Sequence, residues 1–217
     1  GPRPPVDEGV ALRAVGPDSL LARLGGPADL KGLSSAELDQ LGEQIRTAII
    51  ATTAVTGGHL GPSLGVVELT IALHRVMASP VDRIVFDTGH QAYPHKLLTG
   101  RLARFGSLRQ LGGIGGFPRR TESPHDVFDG GHAGTGISIG QGIALARDVR
   151  SGDERVAVVV DPEDYPAIVR ELRVLGTLWP RAQWNRRNRW VAPLTLVVLL
   201  LVVVPLPSWP KKLAPVA

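Results

Sequence analysis

Apolar residues fall at helical spacing between residues 38 and 49: Leu38, Leu41, Ile45, Ala48 and Ile49 line one face of a 3.6-residue repeat. Ser34-Ser35-Ala36-Glu37 precedes them with the S-x-x-E pattern of a capping box, so a helix is predicted from there to about Val55, where Gly57-Gly58 ends it. A second helix is predicted over residues 65–77 with Val66, Leu69, Leu73 and Val76 inward, stopped by Pro80. Ile84-Val85-Phe86 is too short an apolar run for a helix and reads as a buried parallel strand ending at Asp87. Pro94 opens a further helix that ends at Gly100. Residues 106–131 are rich in glycine and proline and read as a long loop, a length that in compact domains usually serves function. A small-residue helix over 137–149 and a second buried strand, Val156 to Val160, follow. Strand, loop, helix, strand is the order of an α/β fold with an open, mostly parallel sheet flanked by helices. Residues 1–33 have weak periodicity, apart from a short helix expected over 19–24, and read as a leader. The α/β domain is assigned to 34–169.

From Arg170 the chain changes character. Eight of the 24 basic residues and one of the 20 acidic residues lie there, so the 170–217 tail carries +7 and residues 1–169 carry −3. The basic balance of the whole chain is therefore a property of the tail, and the body offers no basic face for nucleic acid. Residues 191–209 are free of charged side chains and bracketed by Trp190 and Trp209, with basic residues beyond. As a helix this segment would span roughly 28 Å, near the hydrocarbon thickness of a bilayer, which makes it a candidate membrane segment. Pro193, Pro205 and Pro207 shorten its uninterrupted part to 194–204 and leave open a buried strand-like piece or a segment that does not fold. The chain has no cysteine, which excludes disulfides and thiolate chemistry and suits a cytoplasmic protein. A basic region followed by an apolar secretory stretch is not seen at the start of the sequence. The alternative location is a membrane surface reached through 191–209.

The chemistry concentrates in three glycine–histidine turns: Gly57-Gly58-His59, Gly89-His90 and Gly130-Gly131-His132-Ala133-Gly134-Thr135. The third leads straight into the predicted helix at Ile137, where unpaired amides attract phosphate and glycines let a diphosphate approach. Taken singly, a surface turn explains the third as well as a binding role does, and explains the first two better. Loops at the carboxyl ends of parallel strands converge, however, so three histidines on such loops can share one pocket, and imidazole suits proton transfer near neutral pH. No His, Asp and Glu set has the spacing of a zinc site.

Three strings carry a resemblance to a known family. They are T-G-G-H-L-G-P-S-L-G-V-V-E-L-T over 56–70, D-T-G-H-Q-A-Y-P-H-K-L-L-T-G-R over 87–101 and G-I-G-G-F-P-R-R-T-E-S over 113–123, followed by the His132 turn. About half of the chain resembles the N-terminal domain of 1-deoxy-D-xylulose-5-phosphate synthase, of the thiamine-diphosphate-dependent transketolase class. The resemblance implies His59 and His90 as catalytic residues at the reaction centre. It implies Gly131, His132, Ala133, Gly134 and Thr135 as the diphosphate pocket, and Asp161 as the magnesium ligand. It also implies pyruvate and glyceraldehyde 3-phosphate as substrates, isoprenoid precursor synthesis as the role and a homodimer as the assembly. The family writes Gly-Asp-Gly at the metal loop, where this chain has Val160-Asp161-Pro162. Residues 155–173 instead resemble, over a short stretch, a piece of IMP cyclohydrolase, which leaves two readings, a truncated or chimeric chain after about residue 155 and a divergent loop. Without the family's metal loop and later domains the chain is expected to be inactive alone. The alternatives are a non-catalytic, membrane-tethered remnant and one half of a split enzyme.

Overall fold

The computed structural model describes residues 7–160. Asp161, the tail and the candidate membrane segment 191–209 lie outside the described residues. Among the described residues no helix is long and apolar enough to cross a membrane.

The longest element is helix α3, Ser35–Thr56. Ser34 caps it as predicted: its hydroxyl accepts from the Glu37 amide, and the Glu37 carboxylate accepts from the Ser34 amide at 2.8 Å. Ser34→Ala removes one half of this reciprocal pair, and a loss of about 1 kcal/mol in unfolding free energy is expected by urea denaturation. An unchanged midpoint would show that the cap contributes nothing. Leu41, Ile45, Ala48 and Ile49 are fully buried along one side of α3, and Leu38 is half-buried at the start of the same stripe.

Two short helices precede α3, α1 (Val10–Val15) and α2 (Leu20–Arg23), followed by a 3-10 turn over Pro27–Gly32. The short helix expected over 19–24 runs over Leu20–Arg23, with Ser19 capping it through its hydroxyl. Ala11, Leu21 and Leu30 are buried in the same apolar cluster as the α3 stripe, so this segment packs as part of the core. Weak periodicity hid this, because each piece is one or two turns long and contributes a single anchor.

The second predicted helix is α5 (Val67–Val76), and a further short helix that the sequence did not suggest, α4 (Leu60–Gly65), precedes it across Val66. The inward face of α5 is Val67, Thr70, Ile71, Leu73 and His74, while Val76 is exposed. Val67 and Ile71 enter the main apolar cluster and Leu73 the smaller one, and His74 is accommodated on the same face because its buried imidazole pairs with His95.

Strand β1 (Arg83–Phe86) pairs in parallel with β2 (Val156–Val159), with Arg83 opposite Val156 and Phe86 opposite Val159. Between them run α6 (Tyr93–Lys96), a wider turn over Leu97–Arg101 broken at Gly100, a 3-10 turn over Leu102–Ser107, and α7 (Gly136–Val149). The 3-10 turn leads into the predicted long loop and overlaps it only at Gly106 and Ser107. Its Phe105 is fully buried and packs edge-on to Tyr93. A smaller apolar cluster of Leu73, Met77, Ile84, Phe86, Ala92, Ala157 and Val159 joins the sheet to α5. This is the helix-flanked parallel arrangement the sequence predicts.

Candidate active site at the histidine turns

The turns converge where β1 ends. His59 caps the start of α4, and His90 lies just beyond the Asp87-Thr88-Gly89 turn that leaves the strand. Their imidazoles meet edge to face with centroids 5.4 Å apart, both half-buried, and Phe117 of the glycine-rich loop lies 5.9 Å from the His59 ring.

Buried hydroxyls fix the backbone of both histidines. The His59 amide donates to the Tyr93 hydroxyl at 3.2 Å, and the Ser63 hydroxyl donates to the His90 carbonyl at 3.1 Å. Tyr93 and Ser63 are both fully buried. Gly58 has to be glycine for this contact to exist: its φ is +143°, and a Cβ there would stand 2.7 Å from the Tyr93 hydroxyl. Gly89 is constrained in the same way, with φ +88° and a would-be Cβ 2.2 Å from Pro118 Cδ.

The third turn reaches the same wall. A Cβ at Gly130 would lie 3.4 Å from Phe117 Cβ, and one at Gly131 would lie 3.8 Å from Phe117 Cδ2. Gly131, His132 and Ala133 are exposed, Thr135 is half-buried and donates to the His132 carbonyl, and Gly134 is buried. Thus His59 and His90 touch each other, while His132 belongs to a turn that shares Phe117 with them.

Burial pushes the His59 imidazole below its ordinary value, helped by its neighbours His90 and Arg109. A half-buried imidazole held neutral near pH 7 is ready to accept a proton. Burial raises the Tyr93 phenol, which keeps it protonated while it accepts the His59 amide. Arg109 approaches the Gly57 turn and also lines a cavity of about 920 Å³ along the glycine-rich loop, together with Phe117, Arg119 and His125.

These residues fit part of an anion-bearing cofactor. A ring-lined recess stands beside an exposed glycine–histidine turn, but the amides of Gly134 and Gly136 already donate to the Asp87 carboxylate, at 3.1 and 2.9 Å. The exposed side of Gly131, His132 and Ala133 is the part of the turn left open to an anion. Among the described residues no group of three His, Cys, Asp or Glu side chains could hold a metal ion, and Asp161 lies outside them.

Sequence reasoning found the histidines and missed their supports Asp87, Tyr93, Ser63 and Phe117. Asp87 carried a signal, a lone acid closing an apolar strand. Phe117 carried another, the only aromatic residue within a run of glycines.

The family model described as 1-deoxy-D-xylulose-5-phosphate synthase matches residues 21–163. A protein of that name from Syntrophotalea carbinolica is 62% identical over 142 residues, covering 65% of this chain and 22% of its own length. The 1-deoxy-D-xylulose-5-phosphate synthase 2 of Geobacter sulfurreducens is 60% identical over 141 residues, covering 65% of this chain and 22% of its own length. The chain thus spans less than a quarter of the relatives it matches. With the family model covering well over half of its residues, including all three histidine turns, the chain belongs to the 1-deoxy-D-xylulose-5-phosphate synthase family.

Proposed function

We propose that residues 34–160 form the N-terminal part of a thiamine-diphosphate site serving 1-deoxy-D-xylulose 5-phosphate synthesis from pyruvate and glyceraldehyde 3-phosphate, with release of carbon dioxide. The observation that carries this reading is the His59–His90 ring pair, 5.4 Å apart at the end of β1 and walled by Phe117. Bound thiamine diphosphate supplies the carbanion chemistry at its thiazolium ring.

In this reading His59, held neutral, takes a proton at its free ring edge. His90 faces it and orients the reacting group, and Phe117 excludes water from the pair. His132, with Gly131, Ala133 and the Thr135 hydroxyl, borders the diphosphate. Gly134 shapes the turn from within. Asp161, following β2, is the proposed magnesium ligand. Pro162 beside it replaces the glycine of the family's loop, and the proposal that this chain alone does not turn over rests on that replacement. Assembly as a homodimer and a cytoplasmic location complete the reading.

Isothermal titration with thiamine diphosphate and magnesium tests it. Metal-dependent binding is expected, weakened at least about tenfold in His132→Ala, a change equivalent to about 1.4 kcal/mol. No binding up to millimolar cofactor would overturn the reading and favour a non-catalytic remnant. Fractionation tests the membrane-tethered alternative, which requires the chain to leave the soluble fraction in the absence of detergent.

A further inference from the structure

Asp87 is fully buried at the end of β1, and three backbone N–H groups converge on its carboxylate. Oδ1 accepts from Thr88 at 3.0 Å and from Gly136 at 2.9 Å, and Oδ2 accepts from Gly134 at 3.1 Å. A carboxylate has only acceptors to offer, and both of its oxygens are used here. Gly136 is the first residue of α7 and Gly134 belongs to the turn before it, so an internal anion stands where the helix would otherwise present donors and its positive end to a ligand.

We propose that Asp87 is the residue that makes this turn discriminate against free anions. Its charge takes the donors at the start of α7, so a diphosphate is accepted at the neighbouring His132 side only when its own charge is neutralised by a cation. Two links of the chain meet here. Asp87 ties the strand end that leads to His90 to the turn that carries His132, so the pocket is assembled before any ligand arrives. The same contact leaves a fixed negative charge next to the diphosphate position. A small neutral residue would leave the amides open to any phosphate in the cell. The inference rests on the cofactor reading only for the identity of the natural ligand; the exclusion of free anions follows from the Asp87 contacts.

The probe is inorganic diphosphate, titrated into the full chain at low ionic strength with a chelator present, and separately with magnesium. The wild-type chain is expected to show no metal-free binding, with the Gly134 and Gly136 amide resonances unmoved and protected from exchange. Asp87→Asn keeps an acceptor for Gly136 but lacks the charge, and it should bind metal-free diphosphate at least about tenfold more tightly than wild type. A folded Asp87→Asn chain with unchanged metal-free affinity would overturn the proposal. So would wild-type binding of metal-free diphosphate that moves the Gly134 and Gly136 resonances, a result that needs no variant at all. If thiamine diphosphate fails to bind with magnesium while inorganic diphosphate behaves as stated, the cofactor reading falls and the role of Asp87 stands.

Discussion

Asp126→Ala is expected to lower the unfolding free energy by about 3–5 kcal/mol, the range for breaking one side of a buried ion pair. Its side chain is fully buried and accepts from both Arg101 terminal nitrogens, at 2.7 and 2.9 Å, from His95 Nε2 at 3.1 Å and from the Arg119 amide at 2.8 Å. Lys96, also fully buried, reaches Glu122 at 2.6 Å, so two cations and two carboxylates balance in one network. Removing Asp126 leaves that network with a net positive charge in a low-dielectric interior and strands the Arg101 fork. The loop loses its anchor as well, because Asp126 and Glu122 hold the amides of Arg119 and Gly115 on either side of Phe117. Typical domains are stable by only about 5–15 kcal/mol, so the loss is a large share of the whole. Urea denaturation followed by circular dichroism measures it, with Asp126→Asn as the milder comparison. A loss under about 1 kcal/mol would show that solvent reaches the network and that it does not hold the loop.

That network was the part of the molecule least legible in the sequence. The α3 face could be read because five apolar residues repeat at one period and a capping box marks the start. The strands could be read because Ile84–Phe86 and Val156–Val159 are apolar runs closed by turn residues. The network has no period. Lys96, Arg101, Glu122 and Asp126 look like surface residues by type, and only their mutual contacts make burial tolerable. His74 shows the same blindness from within a helix: a polar residue sits on the buried face, and what makes its burial tolerable is a histidine 21 residues away. At the site, the glycine turns disclosed the two histidines that meet. The hydroxyls of Tyr93 and Ser63, which fix their backbone, sat unnoticed inside strings whose specificity was visible but whose geometry was not.

The same buried histidines make the fold acid-sensitive, and the direction follows from their hydrogen bonds. Asp126 accepts from His95 Nε2–H, so His95 Nδ1 must accept, and it does so from His74 Nε2–H at 2.8 Å. His74 Nδ1 is then a bare lone pair, buried and without a donor. A proton there would be a charge with no acceptor, facing His95, His125 and Arg101. Burial, with those three cationic or ionisable neighbours, depresses His74 to about 2. Burial also lowers His95 in spite of Asp126, and it lowers His125, whose Nδ1 is hydrogen-bonded to the Ser79 hydroxyl at 2.9 Å. The unfolded chain takes these protons near pH 6.5 and the folded chain refuses them, so the unfolded state binds more protons below that value. Stability is therefore complete above about pH 6.5 and falls as the pH drops. His74 alone should remove about 2–3 kcal/mol between pH 6.5 and 4.5, and His95 acts in the same direction. Asp126, held far below the usual carboxylate range mainly by His95 and Arg101 against the cost of burial, adds a second loss once the pH passes below the unfolded carboxylate value of 3.8. Urea midpoints taken from pH 7.5 down to 4.5 should fall steadily across the first window, and His74→Gln, which cannot take up a proton, should flatten that fall even if it lowers the starting stability. Midpoints that stay level between pH 7 and 5 would mean that the histidines are already protonated or open to water in the folded chain, and the hydrogen-bonded order from Asp126 through His95 to His74 would have to be abandoned.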